Sequence, residues 1–235
     1  MESSNERRAP VWLRVVFGCG LVLCLAGAVL FFVRYRVYVV PSPSMVPTLQ
    51  VGDRMIADTW DRSPKAGDLV VFNARDWGAQ AAASTEVKRV LAVAGDSVSC
   101  CSVGGQLGVN GQAVPEPYLN QVPGQPTVAS ATPFTAQVPA GRVFLLGDNR
   151  NASLDSRAQL QNQSGTIAES DIQSKVVAVG LPLERLSFVG GVGPGNFFSL
   201  LVLGTAAGVA AALLSGLALL VLWAGQFVVR RPAGR

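Results

Sequence analysis

EVKRVLAVAGD, residues 86 to 96, is an apolar run that closes on Ala-Gly-Asp. Its length, its Val and Leu content and its Gly-Asp ending describe a strand that runs into a turn. Alternation along that strand sends Lys88 and Arg89 to opposite faces. Similar short runs lie on both sides of it: Arg36 to Val40, Arg54 to Ala57, Asp68 to Phe72, Val98 to Cys101, Arg142 to Leu146 and Ser174 to Leu181. VGD at 51 to 53, AGD at 66 to 68 and VNG at 109 to 111 punctuate them. Residues 119 to 141 are rich in Pro, Thr, Ala and Gln and read as a long loop or small insertion. The turns follow no fixed period, so a solenoid is not indicated. The middle of the chain is therefore a mainly β, antiparallel domain over residues 35–185.

Farther out, the pattern changes. Val15 to Val33 and Phe197 to Trp223 carry no charged residue. Each meets the requirement of ~20 apolar residues for a membrane-spanning helix. The chain has 235 residues, 49% of them hydrophobic and 14% charged, with a mean hydropathy of +0.36. These averages suit a membrane protein with one modest soluble domain. The first apolar run exceeds the roughly 7–15 residues of a cleavable signal-peptide core. Arg34, Tyr35 and Arg36 follow it in place of a small-residue cleavage site, which favours a retained anchor. Arg7, Arg8 and Arg14 precede the first run, and Arg230, Arg231 and Arg235 follow the second. Arg34, Arg36 and Arg185 flank the middle. Six cations against three place both termini in the cytoplasm and the middle on the extracytoplasmic face. The expected organisation is a cytoplasmic tail over 1–14, a helix over 15–33, the β domain over 35–185, a helix over 197–223 and a basic cytoplasmic tail over 224–235. Gly204 and Gly208, and Gly18, Gly20 and Gly27, allow the two helices to pack closely. The abundance of Gly in this chain accounts for them equally well.

The net charge of +4 comes from these anchors and the domain surface. No dense basic cluster with aromatics points to nucleic acid. Cys19 and Cys24 sit in the first apolar run as fillers. Cys100 and Cys101 are adjacent, and the sequence leaves open whether they are bridged. No Cys pair has metal-ligand spacing, so neither a metal nor a cofactor is indicated.

The chain has no histidine. A serine hydroxyl needs a nearby base to become a nucleophile, and a carboxylate is too weak for that proton. A lysine can serve when neutral, and apolar burial disfavours its charged form. Lys88 lies in apolar surroundings of that kind. PSPSMVPTL, residues 41 to 49, holds Ser44 between prolines that stiffen the backbone. GDNRNASLDSR, residues 147 to 157, packs four charged side chains of both signs and two serines into eleven residues. That density suggests an internally bonded turn, with Asp155 and Arg157 as a charge-assisted pair.

Four blocks in order, just past an apolar anchor, resemble the bacterial type I signal peptidases. They are PSPSMVPTL, AGDLVVF at 66 to 72, KRVLAVAGD at 88 to 96 and GDNRNASLDSR, with VNGQAVPEPYL at 109 to 119 as a fifth family-like segment. The resemblance covers roughly residues 35 to 185. It implies a membrane-bound serine endopeptidase that removes signal peptides from exported preproteins through an acyl-enzyme. It implies Ser44 as nucleophile, Lys88 as general base and Ser42 as an oxyanion donor with the Ser44 backbone N–H. Ser153 would orient Lys88, while Asp155 and Arg157 would brace the site. Substrates would carry small residues one and three places before the cut. Their pocket walls would be Val40, Met45, Leu49 and Val87, with Tyr38 beside them. The implied partners are preproteins, the lipid bilayer and the protein translocon. The short 119–141 segment implies that the second β-subdomain of larger members is reduced. Two other readings remain: a specialised Ser/Lys peptidase for pilin or conjugation proteins, and a membrane receptor on an inactive peptidase scaffold. The receptor reading predicts loss of Ser44, Lys88 or Ser153, and all three are present.

Overall fold

The structure is a computed structural model, and it describes residues 11–78, 84–101, 105–119 and 129–189. The expected second membrane helix at 197–223, the tail at 224–235 and residues 120–128 lie outside the described residues. The chain divides into two units, one holding residues 1–33 and 193–235 and the other Arg34–Val192.

Among the described residues, a helix, α1, runs Val11–Arg34. Its 24 residues span about 36 Å at ~1.5 Å per residue. Leu, Val and Phe dominate it, and Leu21, Val22, Leu25, Val29, Leu30 and Phe32 are exposed. Side chains at 12–14, 16, 17 and 24 are not among those described. Among the described residues no helix is long and apolar enough to cross a membrane. The two flanking spans read from the sequence therefore stay a proposal.

The second unit is the β domain. Its strands are β1 (Tyr35–Val39), β2 (Arg54–Asp58), β3 (Leu69–Asn73), β4 (Thr85–Ala92), β5 (Ser97–Cys100) and β6 (Leu107–Val109). They continue with β7 (Gln112–Ala113), β8 (Phe134–Gln137), β9 (Arg142–Leu146), β10 (Ile167–Ala168), β11 (Ile172–Leu181) and β12 (Ser187–Phe188). A large sheet has the order β1-β2-β11-β3-β4-β9-β10, with β12 against β11, and a smaller one has the order β7-β6-β5-β8. Every pairing is antiparallel. The fold is mainly β, as the alternating short runs require.

One turn is built three times. In VGD and the two AGD segments the glycine takes φ of 91° to 93°, a conformation that costs little only without a Cβ. The aspartate closes each turn: Asp53, Asp68 and Asp96 accept from the backbone N–H of Gln50, Lys65 and Val93 at 2.8, 2.9 and 2.9 Å. Asn110 and Gly111 both have positive φ and join β6 to β7 as a tight hairpin of the kind that Asn-Gly favours.

The segment 119–141 is not all loop. Phe134–Gln137 forms β8 and pairs with β5 from Ser97↔Gln137 to Cys100↔Phe134. The small sheet thus packs on the large one around a shared core, in which Val98, Leu107 and Phe134 meet Leu91 and Phe144. Cys100 and Cys101 are joined by a disulfide. Trp77 is buried, stacks edge-on against Phe72 with centroids 5.2 Å apart and donates its indole N–H to the Gly165 carbonyl at 3.0 Å. Trp60 stays exposed. Two further clusters cover the large sheet. Val70, Phe72, Val90, Val143, Leu145, Ile167 and Ile172 form one. Val40, Met45, Leu49, Met55, Leu69, Val71, Val87, Val176 and Val179 form the other. Arg34, which opposes the charge rule for orientation, is tied to Asp58 by bonds of 3.0 and 2.6 Å.

Candidate active site

The chain leaves β1 at Val40, crosses Pro41 and tightens into a single 3-10 turn at Pro43–Met45. Pro43 suits the start of such a turn because its fixed φ is already helical. Ser44 and Met45 are buried by it. The Ser44 carbonyl accepts from the Asn149 N–H at 3.0 Å, and the Asn149 side chain donates to the Pro43 carbonyl at 3.2 Å. The turn is thus clipped to the 147–157 segment at both of these carbonyls.

β4 supplies the lysine. Lys88 Nζ lies 3.2 Å from Ser44 Oγ, and Lys88 and Ser44 are 2% and 5% exposed. Two residues 44 positions apart are brought into contact in a place nearly shut off from water. Ser42 Oγ donates to Ser44 Oγ at 3.2 Å, which puts a second hydroxyl beside the first.

Arg89 points the other way and meets Asp148. Its Nε and Nη2 donate to the two carboxylate oxygens at 2.8 and 2.6 Å, a bidentate pairing that fixes geometry as well as charge. Thr48 donates to the same carboxylate, and the Arg89 guanidinium stacks 3.9 Å from the Tyr118 ring centroid. Burial pushes the Tyr118 hydroxyl above its ordinary range, with Glu116 adding to the rise. That hydroxyl donates to Glu116 at 3.0 Å, and Glu116 is ion-paired to Arg150. Strand β4 is thereby locked to both the 41–49 and 147–157 segments.

Asp155 and Arg157 form a direct ion pair at 2.8 Å. Asp155 also accepts from the Gly147 N–H at 3.1 Å, while Arg157 donates to the Ala129 and Arg150 carbonyls at 3.1 and 2.9 Å. Ser153 is brought beside Gly147, but its buried hydroxyl has no hydrogen-bond partner. The bond from Ser153 to Lys88 that the resemblance implies is not formed. Lys88 is held instead by Glu86, whose carboxylate lies 2.7 Å from Nζ. Val40, Met45, Leu49 and Val87 come together in one apolar cluster, with Tyr38 packed against it. All four are buried.

Glu86, Gly147 and Asn149 are among the contributors that went unread in the sequence. Glu86 stands two places before Lys88, so on a strand it shares that residue's face, and this was the available signal. Gly147 and Asn149 lie inside GDNRNASLDSR, but only their contacts with Ser153 and Ser44 single them out.

Comparison with known proteins matches the chain to one family. The family model described as signal peptidase, peptidase S26, matches residues 12–181. The chain belongs to the signal peptidase family. It is an enzyme, a serine endopeptidase of the type I signal peptidase class. Signal peptidase I U of Bacillus subtilis is 32% identical over 161 residues, covering 65% of this chain and 80% of that one. Signal peptidase I of Mycobacterium tuberculosis is 32% identical, over 74% of this chain and 75% of its own length. Signal peptidase I of Bacillus caldolyticus is 33% identical, over 80% of this chain and 99% of its own length. The matched span begins in α1 and ends on β11, so it takes in the whole Ser44, Lys88 and 147–157 assembly.

Proposed function

We propose that this chain removes N-terminal signal peptides from exported preproteins, with Ser44 as nucleophile and Lys88 as its general base. The contact between Ser44 Oγ and Lys88 Nζ, 3.2 Å in a buried place, carries this reading. In the reacting state Lys88 is neutral and takes the Ser44 proton as the oxygen attacks the scissile carbonyl. The Ser44 N–H and the Ser42 hydroxyl hold the developing oxyanion, an arrangement often worth about 2.7–4 kcal/mol per donor. Lys88 then gives its proton to the departing amine, and afterwards activates the water that releases the acyl group. Ser153 stands ready to orient the amine, and Asp155 with Arg157 braces the loop that carries it.

Val40, Met45, Leu49 and Val87 pack together in one buried apolar cluster; in this reading they wall the pocket that admits small side chains one and three places before the cut and excludes bulk. Both apolar segments, Val15–Val33 and Phe197–Trp223, cross the plasma membrane, with both termini cytoplasmic and the β domain on the outer face. That anchoring keeps the site beside substrates held in the same bilayer and near the translocon, which raises their effective concentration. The supporting observation is the run of exposed apolar side chains along α1.

The test is purified full-length protein in detergent with a labelled preprotein, reading the new N-terminus. Cleavage after a small residue at the end of the signal peptide is expected, with none from Ser44→Ala. Cleavage by Ser44→Ala, or at pilin-type substrates alone, overturns the proposal.

A further inference from the structure

Glu86 and Lys88 share one face of β4, two residues apart. The Glu86 carboxylate lies 2.7 Å from Lys88 Nζ, nearer than Ser44 Oγ at 3.2 Å. Their exposures differ: the Lys88 side chain is 2% exposed and that of Glu86 28%. The amine is shut off from water while its carboxylate partner still reaches it.

An ammonium carries three N–H donors and no lone pair. So long as Lys88 donates to a carboxylate in that form, it can donate to Ser44 but cannot accept the serine proton. An anion in contact favours the charged form of an amine. The surrounding charges are committed elsewhere. On the other face of β4, Arg89 binds Asp148. On β3, the residues across from Lys88 and Glu86 are Val70 and Phe72, and Asp68 at its edge binds Lys175 of β11. In the segment after β9, Arg150 binds Glu116 and Asp155 binds Arg157, while Tyr118 donates to Glu116. The 43–45 turn, Pro-Ser-Met, brings the Ser44 hydroxyl and no charged group. Among the described residues, Glu86 is the carboxylate that meets the amine. It also lies on the part of β4 beyond its pairing with β9, which includes Arg89↔Leu146 but not residues 85–88.

We infer that Glu86 is a positioning residue for this site: its carboxylate clamps the Lys88 amine while the site is empty and sets the pH range over which the enzyme cuts. The inference rests on the Ser44–Lys88 reading above. The clamp holds Nζ within reach of Ser44 and keeps it from acting as a base. Removing the charge of Glu86 weakens the clamp and lets the amine work in less alkaline solution.

The experiment uses the full-length chain in detergent and a synthetic signal-peptide substrate with alanine one and three places before the cut. Values of kcat and KM are measured from mildly acid to alkaline pH for the wild type, Glu86→Gln, Glu86→Ala, Glu86→Asp and Lys88→Met. In Glu86→Gln the rising limb of kcat/KM moves to lower pH by about one unit, the lower end of the effect of one opposite charge. On that limb the variant is then about tenfold faster than the wild type. Glu86→Ala moves the same way, and Glu86→Asp restores the original profile. An unmoved limb in a folded Gln or Ala variant overturns the inference, as does a change confined to KM. Lys88→Met separates the two layers: normal cutting by it refutes the serine–lysine reading itself. A silent Lys88→Met beside an unmoved Glu86→Gln profile refutes only the clamp.

Discussion

Gly147 lies so close to Ser153 that a Cβ built on it would stand 2.2 Å from the Ser153 hydroxyl oxygen. The same Cβ would come within 2.6 Å of the Ser44 carbonyl oxygen. Space rather than backbone angle demands glycine here, because its φ is not in the left-handed region. Gly147→Ala therefore pushes the 147–157 segment off the 43–45 turn. A misplacement of about 1 Å near the chemistry costs on the order of 100-fold in rate. We expect kcat/KM to fall by about that factor with the β domain still folded by circular dichroism. Full activity would show that the two segments need not touch.

Asp148 is buried and answers Arg89 with both oxygens. Asp148→Asn leaves a buried guanidinium short of its counter-charge, a loss of about 3–5 kcal/mol for a pair of this kind. For a domain of this size that lowers the melting temperature by roughly 10 °C, read by thermal unfolding. A drop of about 2 °C or less would mean that β4 is anchored by other contacts.

Lys175 bridges Asp61 and Asp68 at 2.8 and 3.0 Å. Burial works against charge on Lys175, but its hydrogen bonds to Asp61 and Asp68 outweigh this and raise it above its ordinary value. Burial likewise pushes the Asp61 carboxyl up, and Lys175 outweighs that and holds it below the usual range. The Asp61 contribution to stability is present above its unfolded value and is lost as pH falls through its lowered one. The Lys175 contribution is lost as pH rises through its raised value. Asp61→Asn should melt below the wild type at neutral pH, with the gap closing in strong acid. A gap that is constant with pH would contradict the ion-pair account.

Several strands were legible because each apolar run ends on a turn with its own chemistry. Arg54–Asp58, Leu69–Asn73 and Thr85–Ala92 stand beside VGD or AGD, and Asp53, Asp68 and Asp96 close those turns by the same bond. β8 was hidden. Phe134–Gln137 is four residues long, lies in a Pro- and Thr-rich segment and gains its strand character from β5, well upstream. β10 and β12 have two residues each, too few for any period to show. Ser44 and Lys88, which lie 3.2 Å apart, could be singled out from chemistry, since a chain without histidine leaves few bases. Glu86 was not, because a carboxylate at the start of an apolar strand is usually a solvated end. Its role emerges only from where the Lys88 amine is held. The pairing of Arg89 with Asp148 was not legible either, because only the register of β4 with β9 joins them.

The most direct measurement is single-turnover cleavage of a labelled preprotein by full-length Lys88→Met, with binding measured in parallel. The account predicts substrate binding close to the wild type and a cleavage rate near the uncatalysed background at every pH. Cleavage by that variant at the wild-type rate would show that some group other than the amine of residue 88 takes the proton from Ser44.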